Sequence, residues 1–360
     1  MKPASAIKRA LIMAGGTGGH IFPGLAVGEG LRAAGWDVAW MGAPGSMESR
    51  LVPAQGYRMR WVDFGGVRGK GAARWLRLPL QLLRALAQAA RALREERPRV
   101  VLGMGGYITV PGGLLARLYG ARLVLHEQNA VAGLSNRLLA RLSTRALCAF
   151  PGALSGAEWV GNPVRRAIRE LTGPRQRYAA RSGPLQLLVV GGSLGALALN
   201  DMLPRALALI EPAERPRVVH QSGRGRLPAL RQAYADAGVE ADCREFIDDM
   251  AEAYAQADLV VCRAGASTVT EVACAGVAAL FVPFPFAVDD HQSANARYLA
   301  GPGAALLVQQ AELDAPRLAA QLRALRRESL LEMACKAREL ARSDAVERIV
   351  AVCEALDTPT

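Results

Sequence analysis

The chain has 360 residues, 51% hydrophobic and 21% charged, with a formal net charge of +12. That length and apolar fraction imply two ordinary folded domains and exclude a disordered chain. The six cysteines (148, 243, 262, 274, 335 and 353) show neither CxxC nor zinc spacing, so they read as buried thiols of a reducing cytosol. The most apolar stretch, 276–288, is too short to span a bilayer and carries two prolines. At the start, Lys2, Lys8 and Arg9 are followed by only a few apolar residues before a glycine cluster, which is not a secretory leader.

Short apolar runs then alternate with helical stretches. Strands are predicted at 10–14, 38–41, 59–62, 100–102, 123–125 and 146–150, and again at 185–190, 217–220, 259–262, 279–282 and 305–308. Helices fall between them, among them 24–33, 72–93, 196–209, 269–275 and 293–299, and Pro79 predicts a kink or break near Leu78. Pro163, Gly173, Pro174, Gly183 and Pro184 mark 162–184 as the linker, and 329–356 reads as one or two helices. Continuous apolar strands alternating with helices mean parallel sheets covered on both faces. LIMAGGTGGH (11–20) and LLVVGGSLGA (187–196) open the two halves alike. The fold class is therefore α/β, two doubly wound parallel-sheet domains, with ligands expected where strands end in glycine turns and a cleft where the two sheets face.

The charge is uneven. Residues 1–185 hold 27 basic and 9 acidic side chains, whereas 186–360 hold 17 and 23. The first half is thus expected to meet something anionic: nucleic acid, a phosphorylated substrate or an acidic membrane surface; a solvated face without a partner is the bland alternative. Within 58–99 there are eleven basic residues against three acids. The helix at its centre carries Arg77, Arg84 and Arg91 on one face, with Trp75, Leu76 and further leucines giving more apolar surface than one core stripe needs. A basic amphipathic helix of this kind fits a membrane-surface anchor, with Trp75, Leu76, Arg77 and Arg84 as its contacts. An ordinary core-packing helix is the rival reading.

GGTGGH (15–20) lies between a strand and a helix, where free N–H groups and the helix dipole favour phosphate. It lacks the third glycine of the dinucleotide fingerprint and no acid ends the next strand, so a nicotinamide dehydrogenase does not fit; no GK[ST] of a nucleoside-triphosphatase loop exists. GMGGY (103–107) and GGSLG (191–195) are further turns of this type. CRAGASTVTE (262–271) ends a strand, and Ser267 and Thr268 are N-caps or phosphate contacts there. Glu271 sits one turn into that helix, where a carboxylate can take a ribose diol or merely suit the dipole. In DDHQSANA (289–296) an aspartate caps a helix and Gln292 has the donor–acceptor pair to read sugar hydroxyls.

With GGTGGHIFPGLA, GMGGYITVPGG, LHEQNAVAGLSNR, VGNPVR, GGSLGA, EFIDDM, CRAGASTVTE and DDHQSANA in this order, the chain closely resembles the MurG-type lipid-linked N-acetylglucosaminyltransferases of peptidoglycan synthesis, from about residue 9 to about residue 350. The resemblance implies a GT-B fold, with an acceptor- and membrane-binding Rossmann-like domain at 1–162, a UDP-sugar domain at 163–342 and a last helix at about 343–357 packing back on the first. It implies transfer of N-acetylglucosamine from UDP-N-acetylglucosamine, with inversion, to the C4 hydroxyl of undecaprenyl-pyrophosphoryl-N-acetylmuramoyl-pentapeptide, on the cytoplasmic face of the inner membrane. Other cell-wall synthesis and division proteins are implied as partners.

By the same resemblance, the backbone of Ile247 meets uracil, Glu271 the ribose, Ser193 with the turn Ala266, Ser267, Thr268, Val269 and Thr270 the diphosphate helped by Arg165, and Gln292 the sugar. Thr17, Gly18, Gly19 and Asn129 close over the donor, and the loop around Gly18 with Gly105, Gly106 and Tyr107 receives the acceptor pyrophosphate. Leu194 and Ala264 depart from the family's usual glutamine and serine. No DxD metal motif is present, so no bound metal or cofactor is expected, and helix N-termini and arginine must neutralise the leaving diphosphate. The attacking hydroxyl needs a base; His20 is the candidate and Glu127 its rival. His126 and His220, flanked by strand residues, read as structural. A GT-B enzyme with a different lipid acceptor is the first alternative. A nucleic-acid-binding protein is the second, and it lacks aromatic interleaving or a recognised motif.

Overall fold

The computed structural model describes residues 7–65, 72–192 and 194–357, with side chains of the helix beginning at Ala72 described from Pro79 onward. The chain forms two compact units, residues 1–163 with 343–360, and residues 164–342.

Unit 1 is built on β1 (Arg9–Met13), β2 (Asp37–Gly42), β3 (Arg58–Trp61), β4 (Val100–Gly103), β5 (Arg122–Glu127), β6 (Arg145–Cys148) and β7 (Glu158–Trp159), all parallel, in the order β3-β2-β1-β4-β5-β6-β7. Successive side chains alternate between faces. Ala10 and Ile12 therefore join the core beneath the helices Gly18–Ala33 and Ala345–Ala355, while Leu11 and Met13 join the opposite core beneath Ala72–Glu96. Strand order reverses beside β1, so the turns after β1 and β4 flank the crevice at the switch point.

Unit 2 repeats the plan with β8 (Gln186–Val190), β9 (Arg217–Gln221), β10 (Asp242–Arg244), β11 (Leu259–Cys262), β12 (Ala278–Phe281) and β13 (Leu306–Leu307), ordered β10-β9-β8-β11-β12-β13. Here the switch point falls between β8 and β11, flanked by the turns at 191–195 and 263–266. β7 and β10, two and three residues long at sheet edges, carry no apolar run and are absent from the predicted elements.

The expected linker behaves differently from its composition. Within 162–184 lie the short helices Arg166–Arg169 and Pro174–Ala179, and buried Tyr178 donates its hydroxyl to Asp258 O at 2.6 Å, which makes the segment part of unit 2. Of the kink or break expected near Pro79, no break occurs: the helix is continuous from Ala72 to Glu96, its later turns held by buried Ala85, Ala89, Ala92 and Leu93.

Counting charge by unit changes its distribution. Unit 1 holds 22 basic and 12 acidic residues and unit 2 holds 22 and 20, so the excess sits on unit 1 but unit 2 is not acidic.

Asp258, fully buried ahead of β11, accepts from Arg181 Nη1 at 2.6 Å, Arg327 Nη2 at 3.2 Å and Gln186 N at 2.8 Å. Asp258→Ala strips two largely buried guanidinium groups of their counter-charge and should cost about 3–5 kcal/mol. Urea denaturation of the full chain reads this as a lowered midpoint, and a midpoint equal to the parent's would refute the role.

Candidate active site

In unit 1 the helix behind the first glycine turn begins at Gly18, earlier than its hydrophobic periodicity indicates, because Thr17 in extended conformation starts it without a side-chain cap bond. His20 is therefore in the first turn, half-buried. Its Nδ1 lies 3.1 Å from Gly15 O and 3.3 Å from Thr17 Oγ1. A carbonyl only accepts, so Nδ1 carries the proton and Nε2 is the basic nitrogen. The turn after β4 stacks on this loop. Gly105 (φ +96°) and Gly106 (φ +86°) leave no space for side chains: a Cβ would come 2.7 Å from His20 Cδ2 at the first and 2.6 Å from Gly15 O at the second. Thr109 Oγ1 donates to Gly106 O at 2.8 Å and fixes the turn, beside which Tyr107 is exposed.

Glu127 lies at the end of β5, where its carboxylate is buried and takes four donors: Asn129 N at 2.9 Å, Asn129 Nδ2 at 3.4 Å, Gly133 N at 3.0 Å and Asn136 Nδ2 at 2.9 Å. Such a group holds the loop 129–136 in shape, and its lone pairs are committed to that task rather than to a substrate proton. Asn129 shares this anchor. A second buried acid was not apparent from sequence. Glu48, 28 residues or more from any glycine motif, accepts from Gly16 N and Ala43 N, both at 3.1 Å.

In unit 2, the turn at 191–195 packs against the turn after β9. Gly195 (φ +73°) has Ser222 O where a Cβ would stand, so only glycine fits. Ser193 lies outside the described residues. The helix Ala266–Ala275 starts after Gly265; the buried Oγ of Ser267 has no hydrogen-bond partner among the described residues, and Thr268 is half-buried beside it. Ala266 and Val269 are buried, and Thr270 donates backward to Ala266 O at 2.9 Å, which turns its hydroxyl into the helix.

Glu271 accepts from Arg165 Nη2 and from Tyr254 Oη, each at 3.2 Å. Burial pushes its pKa up, against the pull of Arg165 and Tyr254. Burial beside Glu271 also drives the Tyr254 phenol far above its ordinary value, so it stays a donor. Arg165 thus stands at the Glu271 carboxylate, and Tyr254, 17 positions upstream, is a partner that no sequence motif marks. Arg263 does not present its charge to the turn: its guanidinium donates to Val282 O, Pro283 O and Gln310 Oε1. Gln292 joins two turns, its Oε1 accepting from Ala264 N at 3.2 Å and Phe284 N at 2.9 Å, so position 264 contributes through its backbone. Ile247 is buried in the wall of a cavity of about 320 Å³ that reaches Gln186 and Ala257 at the amino ends of β8 and β11. Among the described residues no three His, Cys, Asp or Glu side chains converge as a metal-ligand set.

The remaining histidines are built into the sheets. His126 bonds Gly161 O at 2.8 Å and Gln128 Nε2 at 3.0 Å, and burial pushes its pKa down to about 4. His220 bonds Tyr234 Oη at 2.9 Å and Asn200 Oδ1 at 3.1 Å, and burial pushes it down to about 3. Both stay neutral in the folded chain while the unfolded chain takes up protons below about pH 6.5, so stability present above that pH is lost as pH falls towards 4. Each should contribute a loss of about 1.4 kcal/mol per pH unit, with Glu271, shifted the opposite way, offsetting part of one at the lower end. Unfolding midpoints that do not fall between pH 6.5 and 5 would contradict this.

Residues 10–148 match the glycosyltransferase family 28 N-terminal domain and residues 186–349 the glycosyltransferase family 28 C-terminal domain. A UDP-N-acetylglucosamine–N-acetylmuramyl-(pentapeptide) pyrophosphoryl-undecaprenol N-acetylglucosamine transferase of Ralstonia nicotianae is 60% identical over 348 residues, 96% of this chain and 95% of its own length. The transferase of the same name from Paracidovorax citrulli is 59% identical, over 97% and 98% of the two chains. The crystal structure of Acinetobacter baumannii MurG superposes with a TM-score of 0.85 at 42% identity, covering 97% of this chain and 99% of that one. The kitacinnamycin glycosyltransferase, at 19% identity and a TM-score of 0.71, shares the fold. The chain belongs to glycosyltransferase family 28, with two Rossmann-like units of the GT-B type.

Proposed function

We infer that this chain transfers N-acetylglucosamine from UDP-N-acetylglucosamine, with inversion, to the C4 hydroxyl of undecaprenyl-pyrophosphoryl-N-acetylmuramoyl-pentapeptide, releasing UDP in peptidoglycan synthesis. The observation that carries this is the 60% identity, along 96% of the chain, to a transferase of that name. Glycine turns at a switch point in each unit accord with it, since both substrates carry a diphosphate.

Within this reading, unit 2 takes the donor. The backbone at Ile247 meets uracil, and Glu271 accepts the ribose hydroxyls with its remaining lone pairs. The diphosphate lies against the turn 191–195 and the helix N-terminus at Ala266, where Ser267 Oγ finds the partner it lacks among the described residues. The amide nitrogen of Gln292, whose oxygen is engaged by two backbone N–H groups, faces the sugar. Unit 1 takes the acceptor pyrophosphate on Gly18, Gly19 and Gly105–Tyr107. His20 Nε2 accepts the proton of the C4 hydroxyl as its oxygen bonds to the anomeric carbon and the bond from that carbon to UDP breaks. Helix-terminal N–H groups and Arg165 meet the charge on departing UDP, with no metal required.

A surface of unit 1 supports attachment to an anionic membrane. The helix Ala72–Glu96 turns small alanines inward and leaves Leu80 and Leu83 54% and 64% exposed; Leu118 on the adjoining short helix is 79% exposed, with Arg84 and Arg117 exposed nearby in sequence. Solvent-facing leucines flanked by arginine suit a peripheral contact. Among the described residues no helix is long and apolar enough to cross a membrane. Trp75, Leu76 and Arg77 belong to the same helix, but their side chains lie outside the described residues.

Labelled UDP-N-acetylglucosamine should place label in the muramyl lipid; label in other acceptors but not in this one would sink the proposal. His20→Ala should lower turnover at saturating substrates by about 10²–10⁴-fold, and parental turnover would remove it as the base. Leu80→Glu with Leu83→Glu should weaken binding to anionic vesicles while sparing turnover of a soluble acceptor analogue. Equal vesicle binding would reject the membrane surface.

A further inference from the structure

The acid beneath the first glycine turn has no place in the mechanism so far. Glu48 is 1% exposed, with Oε2 on Gly16 N and Oε1 on Ala43 N, both at 3.1 Å. N–H donors on both oxygens are the pattern of an ionised carboxylate, which only accepts. Its surroundings are shaped to admit it. A Cβ at Gly15 would strike Glu48 Oε1, and one at Gly42 would lie 2.8 Å from Glu48 Cγ. The Gly16 N–H that Glu48 accepts and the Gly15 carbonyl that accepts His20 Nδ1–H belong to one peptide group. That peptide is trans, so its N–H and C=O point in opposite directions and a single plane bridges carboxylate and imidazole.

We propose that Glu48 is a positioning residue that acts on His20 through the Gly15–Gly16 peptide, fixing the Nδ1–H tautomer and raising the basicity of Nε2. The inference rests on the reading of His20 as the base. An anion at the N–H end of an amide polarises it and makes its oxygen a stronger acceptor. The bond from His20 Nδ1–H to that oxygen gains most when the ring becomes imidazolium, which happens as Nε2 takes the hydroxyl proton. No proton crosses the peptide: one stays on Nδ1, the second rests on Nε2, and Glu48 remains a carboxylate. Beside the ring lie the Thr17 hydroxyl on its own helix and, from the turn after β4, Gly105 with the Gln128 amide next to it; none of these three is charged.

The test compares the parent, Glu48→Gln, His20→Ala and the double variant as full-length enzymes. Glu48→Gln preserves shape and removes the charge. Its kcat should fall by about 10- to 100-fold, the loss of one charge-assisted hydrogen bond, while the KM for UDP-N-acetylglucosamine stays at the parent's value. The acid limb of kcat against pH should move to lower pH, and an NMR titration of the His20 ring should show the same displacement without any substrate. In the His20→Ala background the Glu48 change should add nothing. A merely structural pin would lower thermal stability and leave both the acid limb and the ring titration unmoved, and losses that multiply in the double variant would equally overturn the relay. Parental turnover in His20→Ala brings down the base assignment and the relay together. Parental turnover in Glu48→Gln beside an inactive His20→Ala brings down the relay alone.

Discussion

Both units depend on one steric constraint: turns at the carboxyl ends of neighbouring strands approach so closely that the glycines there have no room for a Cβ. In unit 1, Gly105 and Gly106 lie against His20 and Gly15; in unit 2, Gly195 lies against Ser222 and Gly223. The parallel sheet brings the turns together, because neighbouring strands, β1 and β4 in unit 1 and β8 and β9 in unit 2, end at the same edge. The absence of side chains then leaves main-chain N–H groups as the chemical face of the crevice. A phosphate-bearing ligand suits that face, since helix N-termini behind the turns add partial positive charge. Sheet topology, glycine content and ligand class are therefore consequences of a single packing arrangement.

The buried acids share out their lone pairs differently, and that division separates scaffold from site. Asp258 is filled by two arginines and a backbone N–H, and Glu127 by four N–H groups. Neither has capacity for a ligand. Glu271 receives only one guanidinium and one phenol, and burial pushes its pKa up, a sign that its charge is under-compensated. A ribose diol brings two O–H donors, the complement of what this carboxylate lacks. The same count sets Glu127 apart from His20, whose Nδ1 is fixed by a carbonyl so that Nε2 holds the basic lone pair.

What the sequence revealed followed from local chemistry. Apolar runs at 187–190 and 259–262 and the glycine motifs after them placed the strands and the turns at their carboxyl ends, since these features are written in consecutive residues. Glu48 and Tyr254 escaped because their roles exist only once distant segments meet, and neither spacing nor residue type sets them apart. Arg263 and Arg165 illustrate the converse. Their positions beside motifs were visible, but whether a guanidinium faces a ligand or ties loop carbonyls depends on side-chain geometry that no motif encodes. The linker, which does contain the boundary after Pro163, was drawn too long for a related reason. Proline and glycine mark turns whether or not the segment between them is packed, and Tyr178 and Arg181 pack theirs onto Asp258.

Dividing the charge by folded unit rather than by half of the chain alters its meaning. Six arginines between 165 and 181 belong to unit 2, and three of them do structural work there: Arg165 at Glu271, Arg177 on Gly276 O and Arg181 on Asp258. Arg177 and Arg181 spend their charge on internal partners, and Arg165 shares its own with Glu271. In unit 1 the acids Glu95, Glu96 and Asp37 compensate Arg58, Arg60 and Arg91, which leaves Arg84 and Arg117 exposed near the uncovered leucines of their helices. Net charge alone would suit nucleic acid as well as lipid. Exposed leucine beside exposed arginine does not, because base and phosphate readout needs polar or aromatic contacts where this surface offers aliphatic ones. An aliphatic face ringed by cations gains from acyl chains and anionic headgroups together.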